Sequence, residues 1–181
     1  LVNDGIYEPI QTADKAITIR SVNGAQTTII DGGNARRCAT LGGLGSEHKT
    51  VLDGFTLQNG YSGGEEELPE QGGGAFGGTL INCILVDNKA IGHGGGAHDC
   101  LLTNCTLTGN QAGAGGGAHS CFLTNCSLIG NEATGSGGGA WNCPLSNCIV
   151  VGNKAAEGGG LCIGGLINCT VTGNTATVAN G

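Results

Sequence analysis

The stretch GGGAHSCFLTNCSLIGN, from Gly115 to Asn131, combines three features that recur along the chain. Each copy begins with three glycines, continues with an Asn-Cys pair ten residues after the first glycine, and closes with a second asparagine six residues later. Five copies in register predict a repeat architecture with one structural unit per copy. The triple-glycine runs start 22, 21, 22 and 21 residues apart, at Gly72, Gly94, Gly115, Gly137 and Gly158.

The length of the repeat restricts the fold. A unit of 21–22 residues cannot hold two helices, and its glycines would destabilise even one. Within Cys105-Thr-Leu-Thr108 the residues alternate, which places Cys105 and Leu107 on one face of a short strand. Corresponding strands of successive coils would then stack about 4.8 Å apart. The sequence therefore predicts an all-β fold, a right-handed, single-stranded parallel β-helix (β-solenoid) with coils of 21–22 residues.

The repeat covers the chain with unequal regularity. Residues 72–181 form five regular coils, whereas residues 1–71 carry similar strand and turn patterns in irregular form. Residues 63–71 contain four glutamates and predict a solvated acidic loop. We therefore expect a single β-helix domain over residues 1–181, with this loop bulging from the stack.

The composition argues against several classes of partner. The formal net charge is −7, with 7 Lys and Arg against 14 Asp and Glu, whereas a nucleic-acid partner requires a basic surface. No apolar run approaches the length of a membrane span, roughly 18 residues or more. Ten cysteines in 181 residues favour an oxidising, extracellular setting. We therefore expect an extracellular or cell-surface protein without a nucleic-acid partner and without a membrane span.

The asparagine of each Asn-Cys pair predicts a ladder along the solenoid axis. Asparagine tolerates the left-handed conformation of a tight bend, and stacked asparagine side chains hydrogen-bond to one another from coil to coil. Three of these residues also begin Asn-Cys-Ser/Thr sequences, which match the acceptor for N-glycosylation. We expect the ladder to line inner bends, where these asparagines would be inaccessible to glycosylation. The ladder comprises Asn82, Asn104, Asn125, Asn147 and Asn168.

The cysteines also recur at fixed positions of the repeat. One set is the cysteine of each Asn-Cys pair, and a second set lies five or seven residues before it, while Cys38 and Cys83 remain without a partner in their coil. A disulfide within each coil is one interpretation, provided that the segment between the cysteines brings their Cα atoms within about 7 Å. Two stacks of buried thiols are the other. The within-coil pairs are Cys100 with Cys105, Cys121 with Cys126, Cys143 with Cys148, and Cys162 with Cys169.

The sequence offers few candidates for catalysis or metal binding. His98 and His119 occupy the repeat position that Phe76, Trp141 and Cys162 occupy in other coils, and the two aromatic residues favour an aromatic stack over a metal site. Acidic residues of the regular coils fall at unlike repeat positions and predict no carboxylate cluster of the kind that lyases and hydrolases use. We therefore expect no enzymatic activity, and no catalytic residues, metal or cofactor.

The repeat Gly-Gly-Gly-Ala…Asn-Cys…Gly-Asn, as between Gly115 and Asn131, resembles that of bacterial right-handed parallel β-helix repeat proteins. The opening segments Asp4–Tyr7 and Ala16–Arg20 are similar to the N-terminal coils of the same proteins, and polymorphic outer-membrane adhesins resemble the chain more loosely. The resemblance implies the fold and a bacterial source. It leaves the function open, because proteins of this shape include adhesins, surface proteins, tailspikes and pectin-degrading enzymes.

The two ends of a β-solenoid expose unpaired backbone groups and a cross-section of the core, which promote association. We therefore expect an extracellular structural protein that associates end to end into a filament of identical subunits, or with neighbouring coils of a longer adhesin. The alternatives are a carbohydrate-binding or polysaccharide-cleaving β-helix, with polysaccharide as partner, and an ice-binding solenoid. The last rests on an uncharged outward face, which we otherwise expect to pack laterally and which includes Thr106, Thr108, Ile129, Ile149, Val151, Thr170 and Thr172.

Overall fold

The computed structural model describes residues 1–43, 45, 47–63 and 70–178, so most of the acidic loop expected at 63–71 lies outside the described residues. The described chain is built from short strands and bends, and none of it forms a helix that could cross a membrane. The strands are Gly5–Tyr7 (β1), Ile10–Gln11 (β2), Thr18–Arg20 (β3), Thr28–Asp31 (β4), Ala39–Thr40 (β5), Val51–Asp53 (β6), Thr56–Gln58 (β7), Tyr61–Ser62 (β8), Ala75–Phe76 (β9), Thr79–Ile81 (β10), Ile84–Val86 (β11), Lys89–Ala90 (β12), Ala97–His98 (β13), Leu101–Thr103 (β14), Thr106–Thr108 (β15), Gln111–Ala112 (β16), Ala118–His119 (β17), Phe122–Thr124 (β18), Ser127–Ile129 (β19), Glu132–Ala133 (β20), Ala140–Trp141 (β21), Leu145–Ser146 (β22), Ile149–Val151 (β23), Lys154–Ala155 (β24), Leu161–Cys162 (β25), Leu166–Ile167 (β26), Thr170–Thr172 (β27) and Thr175–Ala176 (β28).

These strands form four parallel sheets along the axis of a solenoid. In each regular coil the chain passes through the four sheets in turn, and each strand pairs with its counterpart in the next coil. Equivalent residues face each other, for example Leu80 with Leu102 and Leu102 with Leu123. The predicted parallel β-helix is therefore confirmed. In the order of a regular coil, sheet 1 is β2-β5-β9-β13-β17-β21-β25, sheet 2 is β3-β6-β10-β14-β18-β22-β26, sheet 3 is β1-β4-β7-β11-β15-β19-β23-β27, and sheet 4 is β8-β12-β16-β20-β24-β28.

Each sheet supplies one column of buried residues to the core. Leucines fill the columns of sheets 2 and 3, where Leu102 and Leu107 of one coil are almost fully buried. Alanines such as Ala97 and Ala112 fill the narrower positions of sheets 1 and 4. Full burial of a leucine side chain stabilises a fold by about 1.5–3 kcal/mol. A single coil cannot bury this face, so the fold depends on stacking.

The triple glycine lets successive coils approach each other closely. A Cβ atom on Gly116 would lie 2.4 Å from the carbonyl oxygen of Glu132, at the end of its own coil, and 2.5 Å from that of Gly138 in the next coil. Gly115, the first glycine of the same run, has a φ of 62°, a conformation that residues with a Cβ atom rarely adopt. The repeated glycines are therefore required by the spacing of the coils and by the turn before each sheet 1 strand.

The first coil lacks the sheet 4 strand that each regular coil contains. In a regular coil a strand of sheet 4 lies between the strands of sheets 3 and 1, as β12 lies between β11 and β13. In the first coil only Glu8 and Pro9 separate β1 of sheet 3 from β2 of sheet 1, and sheet 4 begins only at β8. The two ends of the stack therefore differ in shape. A mostly apolar cavity of ≈ 320 Å³ also lies at the N-terminal end, lined by Val2, Tyr7, Glu8, Ile10, Ile19, Ile30 and Phe55.

Candidate functional site

A buried ladder of asparagines runs along the bend between sheets 3 and 4. In its middle, Asn131 Oδ1 accepts hydrogen bonds from the backbone N–H and the Nδ2 of Asn110, at 3.0 and 2.9 Å. Asn131 Nδ2 donates to the carbonyl of Leu107 at 3.0 Å and to Asn153 Oδ1 at 2.9 Å. Every polar atom of this buried side chain is thus satisfied. The ladder consists of the closing asparagines of the repeats, Asn88, Asn110, Asn131, Asn153 and Asn174.

The buried ladder has a direction. Each Oδ1 accepts from the preceding coil, beginning with the Gly60 N–H that donates to Asn88 Oδ1 at 2.8 Å. At the other end, Asn174 Oδ1 accepts from the N–H and the Nδ2 of Asn153, both at 2.9 Å. Asn174 Nδ2 donates to the carbonyl of Val150 at 2.9 Å, as the other ladder asparagines do at this position, and to the carbonyl of Thr172 in its own coil at 3.2 Å. Within the described chain no oxygen accepts the backbone N–H of Asn174, whereas both N–H groups of its side-chain amide are paired.

The ladder predicted from the Asn-Cys pairs lies at the outer surface, at the bend between sheets 2 and 3. All five of its asparagines are exposed and have a positive φ, for example 54° at Asn125. They hydrogen-bond from coil to coil, as Asn104 Nδ2 does to Asn82 Oδ1 at 3.3 Å and Asn168 Nδ2 to Asn147 Oδ1 at 2.7 Å. The expectation that they line inner bends is wrong, because the neighbouring cysteine turns inward and the asparagine turns to solvent.

The cysteines form two stacks of buried thiols. The Sγ of Cys126 accepts the backbone N–H of Cys105 at 3.4 Å and donates to the carbonyl of Thr124 at 3.3 Å. All ten cysteines are free thiols. Of the two interpretations of the sequence, the structure therefore agrees with stacked thiols and not with a disulfide in each coil. In the second stack, burial raises the pKa of the Cys121 and Cys143 thiols, which keeps them protonated. The first stack contains Cys83, Cys105, Cys126, Cys148 and Cys169, and the second contains Cys100, Cys121 and Cys143.

Cys162 does not extend the second stack, as its position in the repeat predicts. It pairs in register with Trp141, so it occupies the aromatic position of its coil. Gly164 instead takes the position in the next coil that stacks on Cys143, since a Cβ atom on this glycine would lie 2.2 Å from the Cys143 carbonyl oxygen. The spacing of seven residues from Cys162 to Cys169, where other coils have five, reflects this different position.

Alkylation with iodoacetamide should distinguish the thiols by their burial. In the native protein we expect Cys162 and Cys169 to react first, because the other eight cysteines are buried. In denaturant without reductant, intact mass should show ten modified cysteines. Fewer than ten under these conditions would mean that disulfides hold some of the thiols, against the arrangement described above.

An aromatic column follows sheet 1 on the side opposite the alanines. Successive ring centroids lie 5.6 Å apart between Phe76 and His98, 4.8 Å between His98 and His119, and 4.5 Å between His119 and Trp141. The planes of adjacent rings are inclined by 3°, 20° and 12°. His93 adds a further ring 4.4 Å from His119. The histidines at the predicted stack positions therefore pack as flat rings among aromatic neighbours.

Burial keeps these histidines neutral. It lowers the pKa of His98 to about 4 and that of His119 to about 3, and the neighbouring imidazoles lower both further, while Asp99 opposes the shift at His98. The Nδ1 atoms of His93 and His98 are buried without a hydrogen-bond partner. In the described ranges of the chain, no group of three or more His, Cys, Asp or Glu side chains is arranged to hold a metal ion.

Two outward surfaces correspond to the other sequence hypotheses. The β-branched face lies on sheet 3, where Thr106, Ser127 and Ile149 follow one another in register, and Ile149 is 49% exposed. On sheet 4 an open groove of ≈ 400 Å³ is lined in part by Lys89 and Glu132. The face mixes threonine and serine with isoleucine and valine, and the groove has a mostly apolar lining with charged groups beside it.

The fold, the two asparagine ladders and the thiol stacks define a class, the parallel β-solenoids. Comparisons of the chain with protein-family models, with curated proteins and with solved structures found no match. The likeness to bacterial β-helix repeat proteins therefore rests on the repeat residues alone.

Proposed function

We propose that the protein is an extracellular structural scaffold, a solenoid rod that continues through its C-terminal edge, the surface formed by β25 to β28. The last coil carries this proposal. It repeats the register of the interior coils, but Leu166 is 46% and Val171 44% exposed, whereas their partners Leu145 and Val150 are 1% and 0% exposed. Covering this edge would extend both the core and the four sheets.

The rod is continued either by a second copy of the chain, which gives a filament, or by further coils of a longer surface protein such as an adhesin. A location outside the cell is part of the proposal. It rests on the resemblance to bacterial surface proteins, because free buried thiols no longer favour an oxidising compartment. A scaffold of this kind requires a rigid stack, which the buried asparagine ladder supplies.

A chain lengthened by whole coils tests the scaffold. Residues 154–174 form one coil in register, since Lys154 pairs with Thr175. Two further copies inserted after Asn174 should stack, raise the melting temperature and lengthen the particle by roughly 10 Å in small-angle X-ray scattering. Added coils that behave as a disordered tail, with no gain in melting temperature, would contradict the proposal.

A polysaccharide-binding or polysaccharide-cleaving protein is the second candidate, and the groove of sheet 4 favours it. Lys154 Nζ lies 3.2 Å from Glu132 Oε1 beside this groove, so charged groups of both signs face it. Assays for reducing sugar and for unsaturated products on pectins and alginates, with and without Ca²⁺, test this candidate. Product formation that is lost in Glu132→Gln would establish it in place of the scaffold.

A further inference from the structure

The exposed asparagine ladder contains all the Asn-x-Ser/Thr sequences of the chain. Asn104, Asn125 and Asn168 are each followed by a cysteine and then by threonine or serine, and no other asparagine begins such a sequence. This is the acceptor sequence for N-linked glycosylation in secreted proteins. The other two asparagines of the ladder, Asn82 and Asn147, are followed by Cys-Ile and lack the hydroxyl group. One edge of the rod therefore carries acceptor sequences and matched non-acceptor sequences at the same position of the coil.

The fold presents the two polar residues of each acceptor sequence to solvent. Asn125 is exposed at the bend between sheets 2 and 3, and the buried Cys126 that follows it points into the core. Ser127 then lies on the outward face of sheet 3, in register with Thr106 of the preceding acceptor. The bend therefore buries only the middle residue of the sequence. A saccharide on the Nδ2 of Asn125 would extend into solvent and leave the core unchanged.

The exposed ladder can keep its hydrogen bonds when it is modified. An asparagine side chain has two N–H donors, and a saccharide replaces one of them. The ladder uses one donor of each residue: Asn104 Nδ2 donates to Asn82 Oδ1 and Asn125 Nδ2 to Asn104 Oδ1, both at 3.3 Å. The buried ladder has no such reserve, because Asn131 Nδ2 donates both to the carbonyl of Leu107 and to the next asparagine. Only the exposed ladder is therefore compatible with modification.

Exposed apolar side chains lie on both sides of this ladder. Phe122, in the sheet 2 strand that leads into the bend at Asn125, is 59% exposed. Ile129 and Ile149 are exposed on sheet 3, on the other side of the bend. Exposed apolar surface of this kind promotes association between molecules. Saccharides along the ladder would extend beside both faces and keep neighbouring rods apart.

We propose that Asn104, Asn125 and Asn168 are acceptor sites for N-linked saccharides, which form a row along the edge between sheets 2 and 3. In the transfer, the asparagine Nδ2 forms a bond to the anomeric carbon of a saccharide that is carried on a lipid pyrophosphate. The bond from this carbon to the pyrophosphate oxygen breaks, Nδ2 loses a proton, and the lipid pyrophosphate leaves. This inference rests on the extracellular location in the proposed function, because the lipid-linked saccharide and its transferase act on exported chains.

The test translates the full chain behind an export signal in the presence of microsomal membranes, which supply the transferase and the lipid-linked saccharide. The same chain is also secreted from eukaryotic cells. Enzymatic release of the saccharide in heavy-oxygen water converts each modified asparagine to labelled aspartate, which mass spectrometry locates. We expect label at the three acceptor asparagines and none at Asn82 and Asn147, although these two are also exposed.

Two variants change the acceptor sequences without replacing an asparagine. The triple variant Thr106→Ile/Ser127→Ile/Thr170→Ile should lose all saccharide and keep the fold. Isoleucine suits this position, because Ile84 pairs in register with Thr106 and Ile149 with Ser127. The reverse change, Ile149→Thr, should add a saccharide at the asparagine of its own coil.

Absence of saccharide from all three acceptors in the microsomal reaction would overturn the inference. So would secretion of the triple variant as a folded rod, judged by circular dichroism, while the glycosylated native chain is retained or unfolded, because the ladder would then not tolerate the modification. Either result leaves the scaffold proposal intact, since the inserted coils test it on the unmodified chain. Inserted coils that stay disordered in a chain that carries saccharide at the three acceptors would contradict the scaffold alone.

Discussion

Replacing Asn131 by leucine is expected to destabilise the protein by roughly 3–5 kcal/mol, because three buried polar groups lose their partners at about 1–3 kcal/mol each. The backbone N–H and the Nδ2 of Asn110 lose their acceptor, and the carbonyl of Leu107 loses its donor. Asn131 itself has no exposed surface, so water cannot replace these bonds without opening the coil. Urea unfolding of the two proteins, followed by circular dichroism, measures the difference.

The matched control lies in the same coil. Asn125 belongs to the exposed ladder, and its φ of 54° suits glycine. Asn125→Gly removes a solvent-exposed hydrogen bond of 3.3 Å to Asn104, so we expect a change of about 1 kcal/mol or less. Comparable losses in the two variants would show that the buried ladder has no special part in holding the coils together.

The fold could be predicted because the repeat determines it. A period of 21–22 residues, three glycines that permit close approach, and alternation within the Asn-Cys strands leave few architectures other than a β-solenoid. The aromatic column was foreseen for the same reason, since residues at one position of the repeat stack in neighbouring coils. His98 and His119 pair directly in register.

The sequence did not reveal which asparagine faces the core. Both asparagines of a repeat have the same period and both follow a strand, so periodicity cannot separate them. The difference lies in the bend: Asn125 adopts the positive φ itself, whereas before Asn131 it is Gly130 that does, with a φ of 60°. Placing the left-handed residue one position earlier turns the following asparagine inward. The glycine before four of the five closing asparagines was the available signal.

The irregular first coils imply that the two ends of the stack differ, but the topology of the N-terminal end could not be anticipated. The sequence shows that the first 71 residues are irregular, but not which sheet their coils omit. Only the register shows that β1 leads directly into β2 and that sheet 4 starts at β8.

Acid should weaken the stack through its histidines. The pKa of His98 is about 4 and that of His119 about 3 in the folded protein, against 6.5 for an unperturbed histidine. The unfolded chain therefore binds more protons below pH 6.5, and the free energy of unfolding falls as the pH falls through this window, until the folded-state values are reached. Since one pKa unit corresponds to about 1.4 kcal/mol, we expect a loss of about 3 kcal/mol or more between pH 7 and pH 4.

The variant His98→Phe/His119→Phe separates this effect from the titration of carboxylates. Phenylalanine fits the column, because Phe76 already occupies the same position of its coil. The groups that face the two histidines, Asp99, Arg37 and His93, are unchanged in the variant. Urea unfolding at pH 7 and pH 4 should show that the variant loses about 3 kcal/mol less than the native protein. The same loss in both proteins would mean that the stacked histidines accept protons without opening the coil, and that the acid sensitivity of the rod arises elsewhere.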